Sequence, residues 1–377
     1  MLRVFRQGKG AEVASRQLAV WQADEERRHG LCDACPSLCR DACPVADAEA
    51  RETVAPQRLV SQARWLAGGR LSAEDLGDTP WHCSDCGACT DACHHGQDVP
   101  SLLVLARHRM LEQRSAPESV REVCGNFAVE ANPYGRSLMA PLESVCSRTQ
   151  RSLHRQPTAL LFPGCVALAE DVDSVEQTTR AASLFGDPDL GLSPWSAACC
   201  GAPLWWAGDL DGFRAHASRV AHGLQRSQVV VMDPACALTM TRRYAQVGIE
   251  PDFSVELAFD RLARLQPAGP EPHTGARLGT FEGCAEHRVP NRPEPPSRPG
   301  STRESLGPQT LGCCGAGGLL PQIAPEAAEA MADRVVDGAR ERGLDGLVVP
   351  SVRCRHHLRS RSRGFPVLDP ADLWVRA

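Results

Sequence analysis

The residues of this chain best suited to chemistry are eight cysteines in its first quarter, arranged as two groups of four. Within each group, two or three residues separate neighbouring cysteines: Cys32, Cys35, Cys39 and Cys43 form the first group, and Cys83, Cys86, Cys89 and Cys93 form the second. Thiolates at this spacing wrap a cubane iron–sulfur cluster, and the fourth cysteine of one run reaches the cluster of the other run. The pattern therefore predicts two [4Fe–4S] clusters.

Crossed ligation assigns three cysteines of each group to one cluster and exchanges the fourth. One cluster is expected on Cys32, Cys35, Cys39 and Cys93, and the other on Cys83, Cys86, Cys89 and Cys43. The second group has the spacing of two-cluster ferredoxins residue for residue, although His94 follows it where a proline is usual. The first group has one additional residue before Cys39 but keeps the trailing Pro44.

Zinc sites and disulfide bonds are the alternatives for these eight cysteines. Cys-x-x-Cys pairs also bind structural zinc, but zinc ribbons usually separate two such pairs by a longer loop. Disulfides require export to an oxidising compartment, and residues 1–14 lack the apolar core of a secretory signal. Iron–sulfur ligation is therefore favoured, and zinc remains the main alternative.

The overall composition indicates a soluble protein of two or three domains. The chain has 377 residues and a net charge of −5, with acidic and basic side chains interspersed. That distribution offers neither the basic face that nucleic acid requires nor a polybasic membrane patch. No apolar run approaches the roughly 20 residues of a membrane helix. We expect a cytoplasmic protein, or one that docks peripherally at the inner face of the membrane.

A second set of eight cysteines repeats one order twice. The first repeat contains Cys165, Cys199, Cys200 and Cys236, and the second contains Cys284, Cys313, Cys314 and Cys354. Both include a Cys-Cys-Gly triplet, and their first and last cysteines lie 71 and 70 positions apart. This match indicates duplicated modules, which could hold one or two further iron–sulfur clusters. Buried apolar cysteines without metal are the alternative.

The elements that position these cysteines change in type near residue 157. Helical patterns at residues 11–29, 56–68 and 99–113 predict a helical, ferredoxin-like domain over residues 1–150. Short apolar strands then alternate with helices, which predicts two parallel α/β modules at residues 157–266 and 273–377. The strands are expected at residues 158–165, 229–236, 277–284 and 347–354, with a Pro-rich linker at 267–272 and an exposed loop at 290–308.

These motifs together resemble the iron–sulfur proteins of the heterodisulfide reductase group. Similar Cys-Cys-Gly domains occur in the iron–sulfur subunits of anaerobic glycerol-3-phosphate dehydrogenase and of lactate-oxidising complexes. In that group a helical two-cluster ferredoxin domain often precedes tandem Cys-Cys-Gly modules, as it does here. The segment Asn132-Pro133-Tyr134-Gly135 also resembles a linker element of the group.

The chain departs from heterodisulfide reductase at the end of each module. There a Cys-x-x-Cys pair helps to hold a noncubane cluster that acts on a disulfide. Here Thr239 stands three positions after Cys236, and His357 stands three positions after Cys354. The missing fifth cysteine counts against noncubane clusters and leaves ordinary [4Fe–4S] clusters as the expectation. His357 is a candidate nitrogen ligand, with a solvated histidine as the alternative.

The resemblance implies an electron-transfer subunit of an oxidoreductase complex. The expected partners are a flavoprotein dehydrogenase or an electron-transfer flavoprotein subunit, and an acceptor that is a quinone or a membrane partner. The chain contains neither a Gly-x-Gly-x-x-Gly turn nor a Walker loop, so we expect no flavin or nicotinamide site of its own. Cys124 and Cys146 fit neither pattern and are expected to be structural thiols.

Two other functions remain open at this point. One is a disulfide reductase acting at the Cys-Cys-Gly clusters, which would make the chain an enzyme in its own right. The other is a zinc-stabilised scaffold without redox function.

Overall fold

The structure, a computed structural model, describes residues 29–155, 157–187, 189–265, 276–292 and 304–375. The linker expected at residues 267–272 lies outside these ranges, as does the helix expected at residues 11–29 apart from residue 29. None of the helices in the described ranges is long and apolar enough to span a membrane.

The region before residue 150 is helical, as predicted. Its helices are α1 Pro44–Glu49, α2 Pro56–Ala67, α3 Ala73–Leu76, α4 Ala88–Asp91, α5 Val99–Glu112, α6 Glu118–Glu130 and α7 Met139–Thr149, with 3-10 turns at His29–Ala34, Glu52–Val54 and Thr79–Trp81. Helix α2 begins at a proline and ends before Gly68, as the sequence indicates. The apolar faces of α2 and α5 pack together, and Cys32 and Cys89 pack against them.

The first α/β unit contains a four-stranded parallel sheet in the order β2-β1-β3-β4. Its strands are β1 Ala159–Phe162, β2 Leu190–Gly191, β3 Gln228–Val231 and β4 Ser254–Leu257. Its helices are α8 Cys165–Glu170, α9 Val172–Leu184, α10 Ala202–Ala207, α11 Leu210–Gly223, α12 Pro234–Leu238, α13 Tyr244–Gln246 and α14 Ala258–Leu265, with a 3-10 turn at Pro194–Ala197 and a π-helical turn at Thr239–Arg243. We call this unit module one.

The second α/β unit has the same topology, with strand order β6-β5-β7-β8 and all pairs parallel. Its strands are β5 Leu278–Phe281, β6 Glu304–Leu306, β7 Gly346–Val348 and β8 Val367–Leu368. Its helices are α15 Cys284–Arg288, α16 Pro308–Leu311, α17 Leu320–Ile323, α18 Pro325–Glu341, α19 Val352–Arg361 and α20 Pro370–Val375. We call this unit module two. The predicted fold class, a helical region followed by two parallel α/β units, is confirmed.

The structure corrects two details of the expected elements. The stretch 290–308 is not a loop throughout, because Glu304–Leu306 forms edge strand β6 and pairs with Gly279–Phe281 of β5. The strands also end before the cysteines that follow them. Cys165 and Cys284 begin helices, and Cys236 and Cys354 lie on helices α12 and α19. The cysteines therefore lie just beyond the carboxyl ends of the strands, where α/β folds collect ligands.

The two modules differ in how their cores are built. One continuous hydrophobic core runs from helices α2, α5, α6 and α7 into module one. Buried Trp81 joins these parts, since its indole Nε1 donates to the Ala207 carbonyl at 3.2 Å. Module two has a separate core that includes Phe281 and Val336. The helical region and module one therefore share one core, and Leu319, Val352 and Ala371 of module two also pack into it.

Candidate iron–sulfur centres

The first predicted ligand set converges near the protein surface. Burial, together with the neighbouring thiols of Cys39, Cys93 and Cys35, raises the pKa of Cys32 to about 11. Cys93 thus lies with the first cysteine group although it belongs to the second in sequence. The sequence neighbours Leu31 and Leu38 are each 45% exposed.

The second predicted set lines one small cavity between the cysteine loops and helices α2 and α5. Its walls include Cys43, Cys83, Cys86 and Cys89, together with apolar side chains such as Leu59 and Leu103. The Cys43 sulfur caps helix α1 by accepting the Ala46 amide at 3.5 Å. Burial raises the pKa of Cys43 to about 12, against the opposing effect of that amide. The structure thus brings both crossed sets together, while the ligand assignments themselves stay predictions.

The four cysteines of module one form a closed thiol group. Each is at most 2% exposed, and the sulfur atoms of Cys165 and Cys199 are 3.5 Å apart. Cys200 accepts hydrogen bonds from the thiols of Cys199 and Cys236, and these bonds lower its pKa. Gly201 has φ of +89°, which suits glycine and allows the sharp turn after Cys200.

The four cysteines of module two are arranged in the same way but are more open. The sulfur atoms of Cys314 and Cys354 are 3.0 Å apart, and those of Cys284 and Cys313 are 4.0 Å apart. Gly315 has φ of +85°, matching Gly201 of module one. In the described part of the chain, no group of three or more Cys, His, Asp or Glu side chains has the arrangement of a site for a single metal ion.

A fifth thiol joins module two from the helical region. Cys86 packs against the apolar cluster that contains Cys313 and lines the same cleft, and the Ser84 hydroxyl oxygen lies 3.7 Å from the Cys313 sulfur. Hydrogen bonds from Cys284, Cys314 and Cys86, in that order of size, lower the pKa of Cys313. Sequence reasoning missed this contact, because nothing in the spacing of Cys86 and Cys313 relates the two groups.

Four buried arginines lie beside the thiol groups, and the sequence analysis did not single them out. They are Arg107, Arg243, Arg288 and Arg353, and each has less than one fifth of its side chain exposed. Burial lowers the pKa of Arg107, and the nearby Cys83 opposes that effect. Burial also acts to lower the pKa of Arg353, but Asp233 and the module-one thiol of Cys165 more than offset this effect, so that the pKa is raised.

Asp85, inside the second cysteine run, is the carboxylate on which several of these contacts meet. It forms a buried ion pair with Arg243, and its Oδ2 accepts the indole Nε1 of Trp206 at 2.7 Å. Arg288 of module two donates to the Asp85 carbonyl at 2.6 Å. The Asp85 backbone has φ of +58°, a conformation that Asp tolerates better than most residues. Asp85 therefore connects the dicluster loop to both modules.

An open cleft of about 740 Å³ lies between the helical region and module two. Cys86, Cys284 and Cys313 line it together, beside Arg288 and His287. By contrast, the thiols of module one are buried within the continuous core. Cys284 and Cys313 of module two thus border an open cleft, whereas the thiols of module one are buried.

The remaining predicted residues occupy structural positions. His357 lies on α19, with Nε2 3.1 Å from the Ala328 carbonyl, and burial lowers its pKa. An imidazole that donates from Nε2 leaves only Nδ1 for a metal. Cys124 and Cys146 lie half-buried on α6 and α7, and burial raises the pKa of Cys124 to about 12. Tyr134 is close to the module-one thiols of Cys165 and Cys199, so the linker segment contributes to that site.

The residues present fit iron–sulfur clusters. Cys43, Cys83, Cys86 and Cys89 enclose a cavity whose other walls are largely apolar, and such burial is one means of tuning cluster potentials. A cluster held by thiolates is anionic, and the adjacent buried guanidinium groups offset that charge. Sixteen of the eighteen cysteines fall into the four groups.

Comparison with known proteins agrees with this geometry. Residues 29–97 match the 4Fe-4S dicluster domain, and residues 280–359 match a cysteine-rich domain that coincides with module two. The chain is 22% identical over 341 residues to one subunit of the fumarate reductase (CoM/CoB) of Methanothermobacter marburgensis. That alignment covers 85% of this chain and 66% of the relative, so the chain spans about two thirds of the relative's length.

These matches confirm several expectations. Residues 29–97 of the helical region form a dicluster domain for two [4Fe–4S] clusters, and residues 280–359 of module two form a cysteine-rich domain of the iron–sulfur type. The resemblance to cysteine-rich iron–sulfur oxidoreductase subunits is also confirmed.

Proposed function

We propose that this chain is the electron-transfer subunit of an oxidoreductase complex. The observation that carries the proposal is that three of the four thiol groups adjoin one another from the surface to the cleft. The half-buried set of Cys32 lies at one end, the set of Cys83 follows, and Cys86 lies beside Cys313 of module two at the cleft. Clusters bound in these groups would accept and donate single electrons.

The protein's own residues supply burial, spacing and charge. Helices α2 and α5 cover one side of the second thiol set with apolar side chains, and Cys43 contributes its sulfur from the cap of α1. Arg107 and Arg243 place positive charge beside the thiols, which favours binding of an anionic group there. Asp85 restrains Arg243 and the Trp206 indole in fixed positions. A rigid frame of this kind suits electron transfer, since the sites need little rearrangement.

The proposed electron donor is a flavoprotein dehydrogenase or an electron-transfer flavoprotein subunit. The acceptor would be a quinone or a membrane-bound partner. Support for a multi-subunit complex comes from the relative, whose name describes it as one subunit of a fumarate reductase. Leu31 and Leu38 are exposed, and each directly precedes a cysteine of the first thiol set. They offer apolar contact to a partner at the surface.

The first experiment is to measure iron and acid-labile sulfide per chain on anaerobically purified protein, with EPR of the dithionite-reduced sample. About sixteen irons would support four clusters and the full relay. About eight irons, with only ferredoxin-like signals, would leave the modules without clusters and contradict a relay through them. Colourless protein with zinc would favour the scaffold instead.

The ligand assignment is tested separately by single substitutions. Cys86→Ser is expected to remove about one cluster's worth of iron. Cys146→Ser is the matched control, since that thiol lies outside the four groups, and its iron content should equal that of the unmodified chain. Unchanged iron in Cys86→Ser would contradict the assignment.

A second candidate function is reduction of a small disulfide at the cleft. The specific observation in its favour is that Cys284, Cys313 and Cys86 line an open space of about 740 Å³. Reduction of one disulfide to two thiols would take two electrons and two protons. Turnover of a small disulfide by the chemically reduced chain, abolished by Cys284→Ser, would favour this function over simple electron transfer.

A further inference from the structure

We propose that module two, and not module one, exchanges electrons directly with the dicluster domain, and that the contact between Cys86 and Cys313 is the junction. This inference rests on the proposed function, which treats the chain as an electron relay. It adds a route to that relay, because it distinguishes two modules that are alike in topology and in their cysteine order.

The thiol contact itself is the first observation. Cys86 packs against the apolar cluster that contains Cys313, and both residues line the same cleft. Cys86 also lines the cavity shared by Cys43, Cys83 and Cys89, so it belongs to the dicluster set and lies beside a thiol of module two. Electron tunnelling falls steeply with separation, so neighbouring thiol groups provide a favourable path.

The second observation is a close approach between backbones beside that contact. Gly318 has φ of +69°, and a Cβ added there would lie 1.9 Å from the Cys83 carbonyl oxygen. A Cβ on Gly317 would lie 2.4 Å from the Ser84 carbonyl oxygen. Any side chain at these positions would push module two away from the dicluster loop. The lack of a side chain at both glycines therefore allows module two to approach the dicluster loop closely enough to place Cys313 beside Cys86.

Module one lacks this arrangement. Its Cys-Cys-Gly triplet is followed by Ala202, Pro203 and Leu204 instead of glycines. Its helix α10 meets the dicluster loop through the Trp206 indole, which donates to the Asp85 carboxylate at 2.7 Å. A ring and a carboxylate thus stand where module two has a direct thiol contact.

The step at the junction transfers one electron and nothing else. The site that contains Cys86 loses one electron as the site that contains Cys313 gains it, or the reverse. No bond is broken and no proton moves. The reductant that starts the relay is the flavoprotein partner, and dithionite replaces it in the test.

The test uses the full chain, reduced anaerobically, and follows magnetic coupling between clusters by EPR line broadening and spin relaxation. Cys314→Ser disrupts the site of module two, and Cys200→Ser disrupts that of module one. If module two is the junction, magnetic coupling between the dicluster clusters and the modules should be lost in Cys314→Ser and kept in Cys200→Ser. The opposite pattern would overturn it.

A third variant keeps every cysteine, in case those substitutions impair folding. Gly317→Ala is expected to leave iron content unchanged and to weaken the coupling, because the new methyl group would displace the Ser84 backbone. Gly125→Ala is the control, since no atom lies within 4 Å of the Cβ it would add. Equal coupling in both variants, with about sixteen irons, would overturn the junction while leaving the relay intact. About eight irons would overturn both.

Discussion

Module one and module two share their strand order, the order of their cysteines and a left-handed glycine after the cysteine pair, yet they are embedded differently. Module one shares a continuous core with the helical region, and its thiols are closed off from solvent. Module two has its own core, borders an open cleft and receives a thiol from the dicluster domain. The two modules thus have the same strand order and cysteine arrangement, and they differ in how far their thiols are buried and in what packs against them.

The difference extends to the residues that cap the last cysteine helix of each module. In module one Asp233 caps α12, and in module two Ser351 caps α19. The buried Asp233 carboxylate has a cation close by, because Arg353 reaches across from module two, with Nε 3.7 Å from Oδ2. The guanidinium also lies 4.9 Å from the Trp206 ring centroid, within the range of a cation–π contact. Module two therefore contributes a charge to the site of module one.

The largest expected effect concerns the shared core. Trp81→Ala should cost about 4 kcal/mol of unfolding free energy, because it removes a fully buried indole. Hydrogen exchange should rise in both the helical region and module one. Phe281→Ala should have a similar cost but raise exchange in module two alone. Exchange confined to the helical region in Trp81→Ala would show that module one folds independently.

The next effect concerns the carboxylate that joins both modules to the dicluster loop. Asp85→Asn should cost about 3 kcal/mol, because it leaves the buried Arg243 without its ion pair. Chemical denaturation measures the cost, and EPR should show altered cluster signals. Asp260→Asn is the control, since it breaks a buried pair with Arg292 that includes no residue of the dicluster loop. For Asp260→Asn we expect a comparable loss of unfolding free energy with no change in the EPR spectrum. Equal EPR spectra for the two variants would contradict a role for Asp85 at the clusters.

A smaller effect is expected from His357 of module two as pH falls. Burial lowers its pKa in the folded state, so the unfolded chain binds a proton more readily. Its stabilising contribution is therefore complete above the unfolded value of about 6.5 and decreases as pH falls below it. His357→Gln should flatten the loss of stability between about pH 7 and pH 5.5, as measured by chemical denaturation at each pH. A loss as steep as that of the unmodified chain would contradict this role of His357.

The smallest effect is expected at the surface of module two. Arg363 lies 2.7 Å from Asp337 and lowers the pKa of that carboxyl. The pair stabilises the fold above the unfolded carboxyl pKa, and the contribution is lost as pH falls through the lowered value. Arg363→Gln should change the unfolding free energy only slightly, and less at high salt, because water and ions screen an exposed pair. A larger cost would mean that surface pairs, as well as buried contacts, distinguish the modules.

Much of this architecture follows from the order of residues along the chain. Cysteine spacing indicates the dicluster domain, and the repeated order indicates two modules, because both signals are local or periodic. Strands β2 and β8 escaped prediction, since two residues each are too few to show a pattern. The ion pair between Asp85 and Arg243 joins positions 158 residues apart, and the contact of Cys86 with Cys313 likewise joins distant parts of the chain. Such contacts depend on how the units dock.

The close approach of Gly317 and Gly318 also bears on how the protein matures. Both cysteine groups of the dicluster domain leave the ribosome long before residues 313–318 are synthesised. Once module two docks, its glycine turn covers the Cys83–Ser84 backbone and brings Cys313 against Cys86. We therefore expect clusters to be inserted into the dicluster domain first, with the closing of module two acting as a seal over the loaded site.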